Sequence, residues 1–253
     1  MGNPNEEQKI SIWSTYSMQA IILCGGLSTR LGSITKEIPK ILLPIGDRVI
    51  IDYQIDLLKT ASVTEIVLAS GHLHNVIFDR IGHQYEGLKV LYAREYERLG
   101  TGGAIRNAMN YIESEPFFAL NGDILTEGVN LCTMLEYHCH IKNNVNEKID
   151  GTLLSTFVDD ISDFGEIISD ENGKIISFKE KRKIIKSGYI NGGIYTFNKS
   201  VCNYFPNQDT FSLEFDVFPN INKLYSFQTQ ANLIDIGMPD RLEYARKIYL
   251  PKC

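Results

Sequence analysis

Near the start of the chain, small residues and cations stand at spacings suited to an anion. Gly25 and Gly26 follow the apolar run Ala20 to Cys24, then come Ser28, Thr29 and Arg30, and Lys40 stands ten residues after Arg30, beside Pro39. Glycine lets the backbone approach an anion closely and turn its N–H groups toward it. The hydroxyls add donors, and Arg30 and Lys40 supply positive charge in a chain of net charge −6. Two common phosphate loops are excluded by spacing, because neither G-x-x-x-x-G-K-[ST] nor G-x-G-x-x-G occurs here. On its residues alone the stretch is either a phosphate-binding turn or an ordinary strand-to-helix turn of an α/β domain.

Further constellations lie downstream. Asp123 stands behind Asn121 and Gly122, and Asp235 lies in Ile234-Asp235-Ile236-Gly237. Each aspartate alone suits the capping of a turn. The two together, with the opening loop, read as a Mg²⁺ pair, since that ion takes a few carboxylates plus phosphate oxygens. Leu99-Gly100-Thr101-Gly102-Gly103 is a second glycine-rich segment, either a seat for a flat base or a plain helix entrance. Phe178-Lys179-Glu180-Lys181 opens a charge run, which is commonly a solvated face. Cys132, His138, Cys139 and His140 fit no zinc spacing, and no G-x-S-x-G nucleophile is present.

These residues need a scaffold, and the periodicity supplies one. Strands are predicted at Ala20–Cys24, Glu65–Ala69, Lys89–Ala93 and Phe117–Leu120, with helices at Val49–Thr60, Leu73–Tyr85 and Gly103–Ile112 and another across Leu131–His138. Such alternation implies parallel strands with crossover helices on both sides, and ligands at the carboxyl ends of the strands. The second part reads differently. Asp150–Val158, Tyr189–Phe197 and Ala231–Ile236 read as strands, and a hairpin turns at Asn172-Gly173. Leu213–Val217 reads as helical, and Asp240–Tyr249 as a closing helix with Pro239 in its first turn.

With 253 residues the chain can bury a substantial core, and its acidic balance argues against nucleic acid as a partner. Its five cysteines lack paired spacing, which points to free thiols in the cytoplasm. No apolar run approaches the roughly 20 residues of a membrane span. Residues 1–17 read as a disordered leader or tag, and 18–253 as a single domain. Within it, 18–141 form one part, and 150–253 a second that carries a substrate-binding lobe and rejoins the sheet.

The opening stretch resembles the signature of the sugar-1-phosphate nucleotidyltransferases, GGxGTRL followed by PK. Here it stands as Gly25-Gly26-Leu27-Ser28-Thr29-Arg30-Leu31, then Pro39-Lys40, with Ser28 in place of the third glycine. Asp235 matches the first residue of the family's D-x-G-T, where Met238 replaces the threonine. The resemblance runs from Met18 to about Tyr249. It implies a Rossmann-like three-layer α/β sandwich of GT-A type, with a mixed, mostly parallel central sheet and a smaller sugar-binding β lobe. It implies that Arg30 and Lys40 are catalytic and that Asp123 and Asp235 hold Mg²⁺. The nucleoside triphosphate would lie on Leu23, Gly25, Gly26, Ser28 and Thr29, with Gly100 and Thr101 toward the base. The sugar 1-phosphate would lie on Gly165, Glu180, Lys181 and Asn191. Phe211-Ser212-Leu213-Glu214 resembles a segment of the heptose and mannose members and is read as packing. The wording as a whole looks most like the guanylyltransferases acting on D-glycero-D-manno-heptose 1-phosphate or mannose 1-phosphate. Thymidylyl, uridylyl and cytidylyl transfer, and a non-catalytic nucleotide-sugar-binding subunit, stay open as alternatives. So does the oligomeric state, a homo-oligomer included.

Overall fold

The computed structural model describes residues 17–144, 149–179 and 185–249. Its strands are Met18–Leu23 (β1), Pro44–Ile45 (β2), Arg48–Val49 (β3), Val63–Ser70 (β4), Gln84–Tyr85 (β5), Leu88–Arg94 (β6), Phe117–Asn121 (β7) and Ile124–Glu127 (β8), followed by Gly151–Val158 (β9), Glu166–Ser169 (β10), Ile175–Lys179 (β11), Gly188–Phe197 (β12), Leu224–Thr229 (β13) and Asn232–Asp235 (β14). The helices are Ile50–Lys59 (α1), His74–Ile81 (α2), Gly100–Ala108 (α3), Leu131–Asn144 (α4) and Pro239–Ile248 (α5).

β7, β1, β4 and β6 lie side by side and parallel. β1 and β7 read as nearly continuous apolar runs because both of their faces are covered. Ile22, Leu68, Val90 and Phe118 point to one face, where Ile51 and Ile55 of α1, Ile77 of α2 and Met134 of α4 bury them. Ile21, Val67, Ala93 and Phe117 point to the other, against Ala104 and Ile105 of α3 and the segment carrying Phe211, Leu213 and Phe218. Each buried Ile, Leu or Phe contributes roughly 1.5–3 kcal/mol. The predicted three-layer α/β arrangement around a mixed sheet is therefore present.

The late strands rejoin this sheet through β12. Its C-terminal half, Ile194–Phe197, runs antiparallel to β7. Its N-terminal half pairs with β10 of the β10–β11 hairpin, and along its other edge it pairs with β9, beyond which lies β13. The β9–β12 register breaks between Asn191 and Tyr195, and Gly193 there takes a left-handed φ of 69°. A third core, with Leu31, Ile45, Leu125, Ile234, Ile236 and Leu242, seats α5 against the β8–β14 pair.

Two helices depart from the sequence reading. α2 stops at Ile81, because Gly82 leaves the helix at φ 65° and residues 84–85 pair with β6 instead. α3 begins at Gly100 rather than Gly103. The carbonyl of Phe211 accepts the N–H groups of Gly102 and Gly103 at 3.0 and 3.3 Å, a cap delivered from a hundred residues away. Strand β13 is absent from the sequence reading. Its buried Ser226, hydrogen-bonded to Ser155 at 2.7 Å, interrupts the apolar pattern.

Candidate active site

β1, β4, β6 and β7 end at one edge of the sheet. Their exits are tied to each other: Cys24 N–H donates to Ala69 at 2.9 Å, Gly122 N–H to Leu23 at 2.9 Å, and Glu95 N–H to Ser70 at 2.8 Å. A methyl group on Gly25 would collide with the Glu95 carboxylate, so the glycine keeps that carboxylate close to the turn. Ser28 then turns left-handed, φ 52°, and its carbonyl accepts from Leu31 N–H and from the Thr35 hydroxyl. This is the position of the third glycine in the signature, and the backbone there still has the conformation that glycine favours.

Pro39 leads into a short 3₁₀ turn, Lys40–Leu42, anchored by buried Ile41 and Leu42. The anchor holds Lys40 Nζ on Asp123 Oδ2 at 2.8 Å. Asp123 lies in the turn between β7 and β8. β14 pairs antiparallel with β8, which sets Asp235 opposite Ile124, and Ile236 N–H donates to the Asp123 carbonyl at 3.0 Å. The two aspartates, far apart in sequence, therefore flank one backbone junction. Asp235 accepts from Gly237 N–H at 2.7 Å and from Arg241 at 3.3 Å, and Arg241 lies over the Phe164 ring at 4.9 Å.

Two cavities open from this junction. One, of about 510 Å³, is bordered by Leu23, Gly25, Gly26, Ser28, Lys40 and Asp123 on one side and by Gly100, Thr101 and Glu95 on the other. The second, of about 810 Å³, is bordered by Gly165, Asn191 and Asp235, with Glu214, Phe178 and Arg241. Asn191 is held in place: its Oδ1 accepts from Gly193 N–H at 2.9 Å and its Nδ2 donates to the Tyr195 hydroxyl at 2.9 Å. Arg30 borders the second cavity rather than the first and faces the Gly237 backbone. Thr29 is exposed and borders neither. Glu180 and Lys181 lie outside the described residues.

Glu95 and Arg241 are cavity residues that the sequence reading does not assign, and Glu214 is one that it reads as packing. For Glu95 a signal exists, because it directly follows β6 and so stands at the same carboxyl edge as the glycine turn. Burial pushes its carboxyl above the usual carboxylate range, although a hydrogen bond from the Leu99 backbone opposes the shift. Burial, with the Glu95 charge second, pushes the Cys24 thiol far up, so it stays protonated and unreactive. Burial, then the Glu214 charge, raises the Tyr195 phenol.

The donor set suits Mg²⁺. Among the described residues no cluster of three or more acidic, histidine or cysteine side chains forms an all-protein cage. Asp123 borders the first cavity and Asp235 the second, on either side of one backbone junction, and two carboxylates suit an ion that takes its remaining oxygens from substrate phosphates.

The profile of the Nucleotidyl transferase family matches residues 19–249. A D-glycero-alpha-D-manno-heptose 1-phosphate guanylyltransferase of Campylobacter jejuni is 38% identical, spanning 88% of this chain and 96% of that protein. A protein of the same name from Aneurinibacillus thermoaerophilus is 35% identical, over 91% of this chain and 97% of that one. A probable mannose-1-phosphate guanylyltransferase of Oryza sativa is 34% identical, over 92% of this chain but 65% of its own length. Among solved structures, HddC from Yersinia pseudotuberculosis complexed with GMP-PN matches with a TM-score of 0.76 at 31% identity, over 92% of this chain and 99% of that one.

Proposed function

The chain belongs to the nucleotidyl transferase family, and from that premise we propose that it moves the guanylyl group of GTP onto D-glycero-D-manno-heptose 1-phosphate, with mannose 1-phosphate the next-best acceptor. The observation that carries this reading is the pair of cavities on either side of the Asp123–Asp235 junction, one floored by the glycine turn and the other walled by Asn191 and Gly165. The names of the relatives favour guanine and heptose.

An oxygen of the sugar 1-phosphate attacks the α-phosphorus of the triphosphate. The new P–O bond forms as the bond to the α,β-bridging oxygen breaks, and pyrophosphate departs with that electron pair. The attacking oxygen is already ionised near neutral pH, so no general base is needed. Rate enhancement rests on positioning and charge. Lys40 stabilises the α-phosphate, and Arg30, which borders the second cavity, supplies charge to the phosphates there. Asn191 and Gly165 orient the sugar, while Glu180 and Lys181 keep the sugar and phosphate contacts that the sequence resemblance gives them. Asp123 and Asp235 would hold Mg²⁺, which neutralises phosphate charge when bound. The half-buried Glu95 carboxylate, an acceptor when ionised, suits the adjacent N1–H and N2–H donors of guanine. Free thiols at Cys24, Cys132 and Cys202, and the absence among the described residues of a helix long and apolar enough to cross a membrane, support a cytoplasmic site of action.

The test is pyrophosphate release from GTP, dTTP, UTP, CTP and ATP, each paired with heptose, mannose and glucose 1-phosphates in magnesium buffer. The highest kcat/KM is expected for GTP with heptose 1-phosphate. A preference for another base overturns the guanylyl assignment, and release with no pair would favour a binding role without catalysis.

A further inference from the structure

Glu214 stands in the wall between the two cavities. Its Oε2 accepts from the Thr101 hydroxyl and from the Ser212 hydroxyl, each at 2.7 Å. The Thr101 oxygen accepts in turn from Leu213 N–H at 2.9 Å, and the Ser212 oxygen from Glu214 N–H at 3.1 Å. Thr101 borders the cavity of the glycine turn, whereas Glu214 borders the other. Among the described residues no hydrogen bond reaches Glu214 Oε1, which leaves that oxygen for a ligand hydroxyl. A carboxylate held on one oxygen by hydroxyl donors keeps the other in a fixed direction, and charge-assisted bonds of this kind are roughly twice as strong as neutral ones.

We propose that Glu214 contacts the sugar and that Thr101 is the positioning residue coupling the two substrates: a nucleotide seated against the start of α3 fixes Thr101, and Thr101 fixes the carboxylate that receives the sugar. This rests on the function proposed above and adds to it a reciprocal dependence of one affinity on the other, as linkage requires. Coupling of this kind between sites is commonly about 5- to 150-fold.

The experiment is calorimetric titration with heptose 1-phosphate, with and without a non-hydrolysable GTP analogue, in magnesium buffer. It is run on the unmodified protein and on Thr101→Val, Thr101→Ser and Glu214→Gln. The ratio of the two heptose 1-phosphate affinities is expected to change by at least about 5-fold in Thr101→Val and in Glu214→Gln. Thr101→Ser should restore it. A purely structural role would weaken both affinities together and leave the ratio alone. Should Thr101→Val fail to fold by circular dichroism, Glu214→Gln carries the same readout. A ratio within about 2-fold of the unmodified protein in the folded variants overturns the coupling. An unmodified protein that binds neither ligand overturns the functional reading, and the coupling with it.

Discussion

Lys40 and Asp123 hold each other at 2.8 Å with side chains only 16% and 23% exposed, so the ammonium is fixed at the border of the cavity proposed for the triphosphate. Lys40→Ala should lower pyrophosphate release by about 100- to 1,000-fold, the loss typical of one preorganised donor. Circular dichroism should show the fold retained; near-normal turnover would refute the role. Glu95 allows a pH prediction. Its folded carboxyl is raised by burial, so the fold favours the protonated form, and that contribution is lost as pH rises through the raised value. Ligand-free Glu95→Gln should therefore melt higher than the unmodified protein at pH 7, with the gap closing as pH falls through the carboxylate range. The same change should lower kcat/KM for GTP, because a carboxamide offers a donor where guanine needs an acceptor. Asp123 and Asp235 stand out in sequence because each lies beside glycine at a strand end, where ligands gather, and Lys40 because it follows Pro39 ten residues after Arg30. Glu214 was marked only as part of the Phe211–Glu214 segment and read there as packing, because sequence shows neither the cavity it borders nor its distant partner. Its role depends on a contact with Thr101, 113 positions away.

The glycines of the two turns look alike in sequence and differ in the work they do. Gly100 sits at φ 72°, and a Cβ there would stand 2.5 Å from the Phe211 carbonyl oxygen. Gly26 has an ordinary φ, and a Cβ there would meet nothing within 4 Å. Gly100→Ala should cost about 1–3 kcal/mol of stability, the scale of such backbone strain. Gly26→Ala should cost under about 0.5 kcal/mol, as for substitutions that meet no neighbour, yet weaken nucleotide binding, because its methyl would project into the cavity. Urea unfolding and analogue titration of both variants separate the two effects; equal stability losses would contradict the assignment. The helix entrance was readable as glycine-rich, but its starting residue was not. The cap that lets α3 begin at Gly100 comes from Phe211, and periodicity carries no record of so distant a donor–acceptor pair.

At the scale of the molecule, the alternation of strand and helix up to about residue 141 gave the parallel sheet, and Tyr189–Phe197 returns to it as expected, whereas the strand expected at Ala231–Ile236 pairs with β8 apart from it. The forked pairing of β12 was not expected, because one strand with different partners along its two halves leaves no local trace. That strand joins the two cavity-bearing parts by backbone hydrogen bonds on both edges. We expect urea to unfold the chain in one transition, coincident by far-UV circular dichroism and tyrosine fluorescence. Two separated transitions would divide the molecule into independent units. The fork also bears on how acceptor preference can diverge. The β10–β11 hairpin hangs from the outer half of β12, whereas the inner half lies against β7. On the function proposed above, a chimera that takes the hairpin from a relative with another acceptor is expected to change its acceptor while keeping its host's choice of nucleotide.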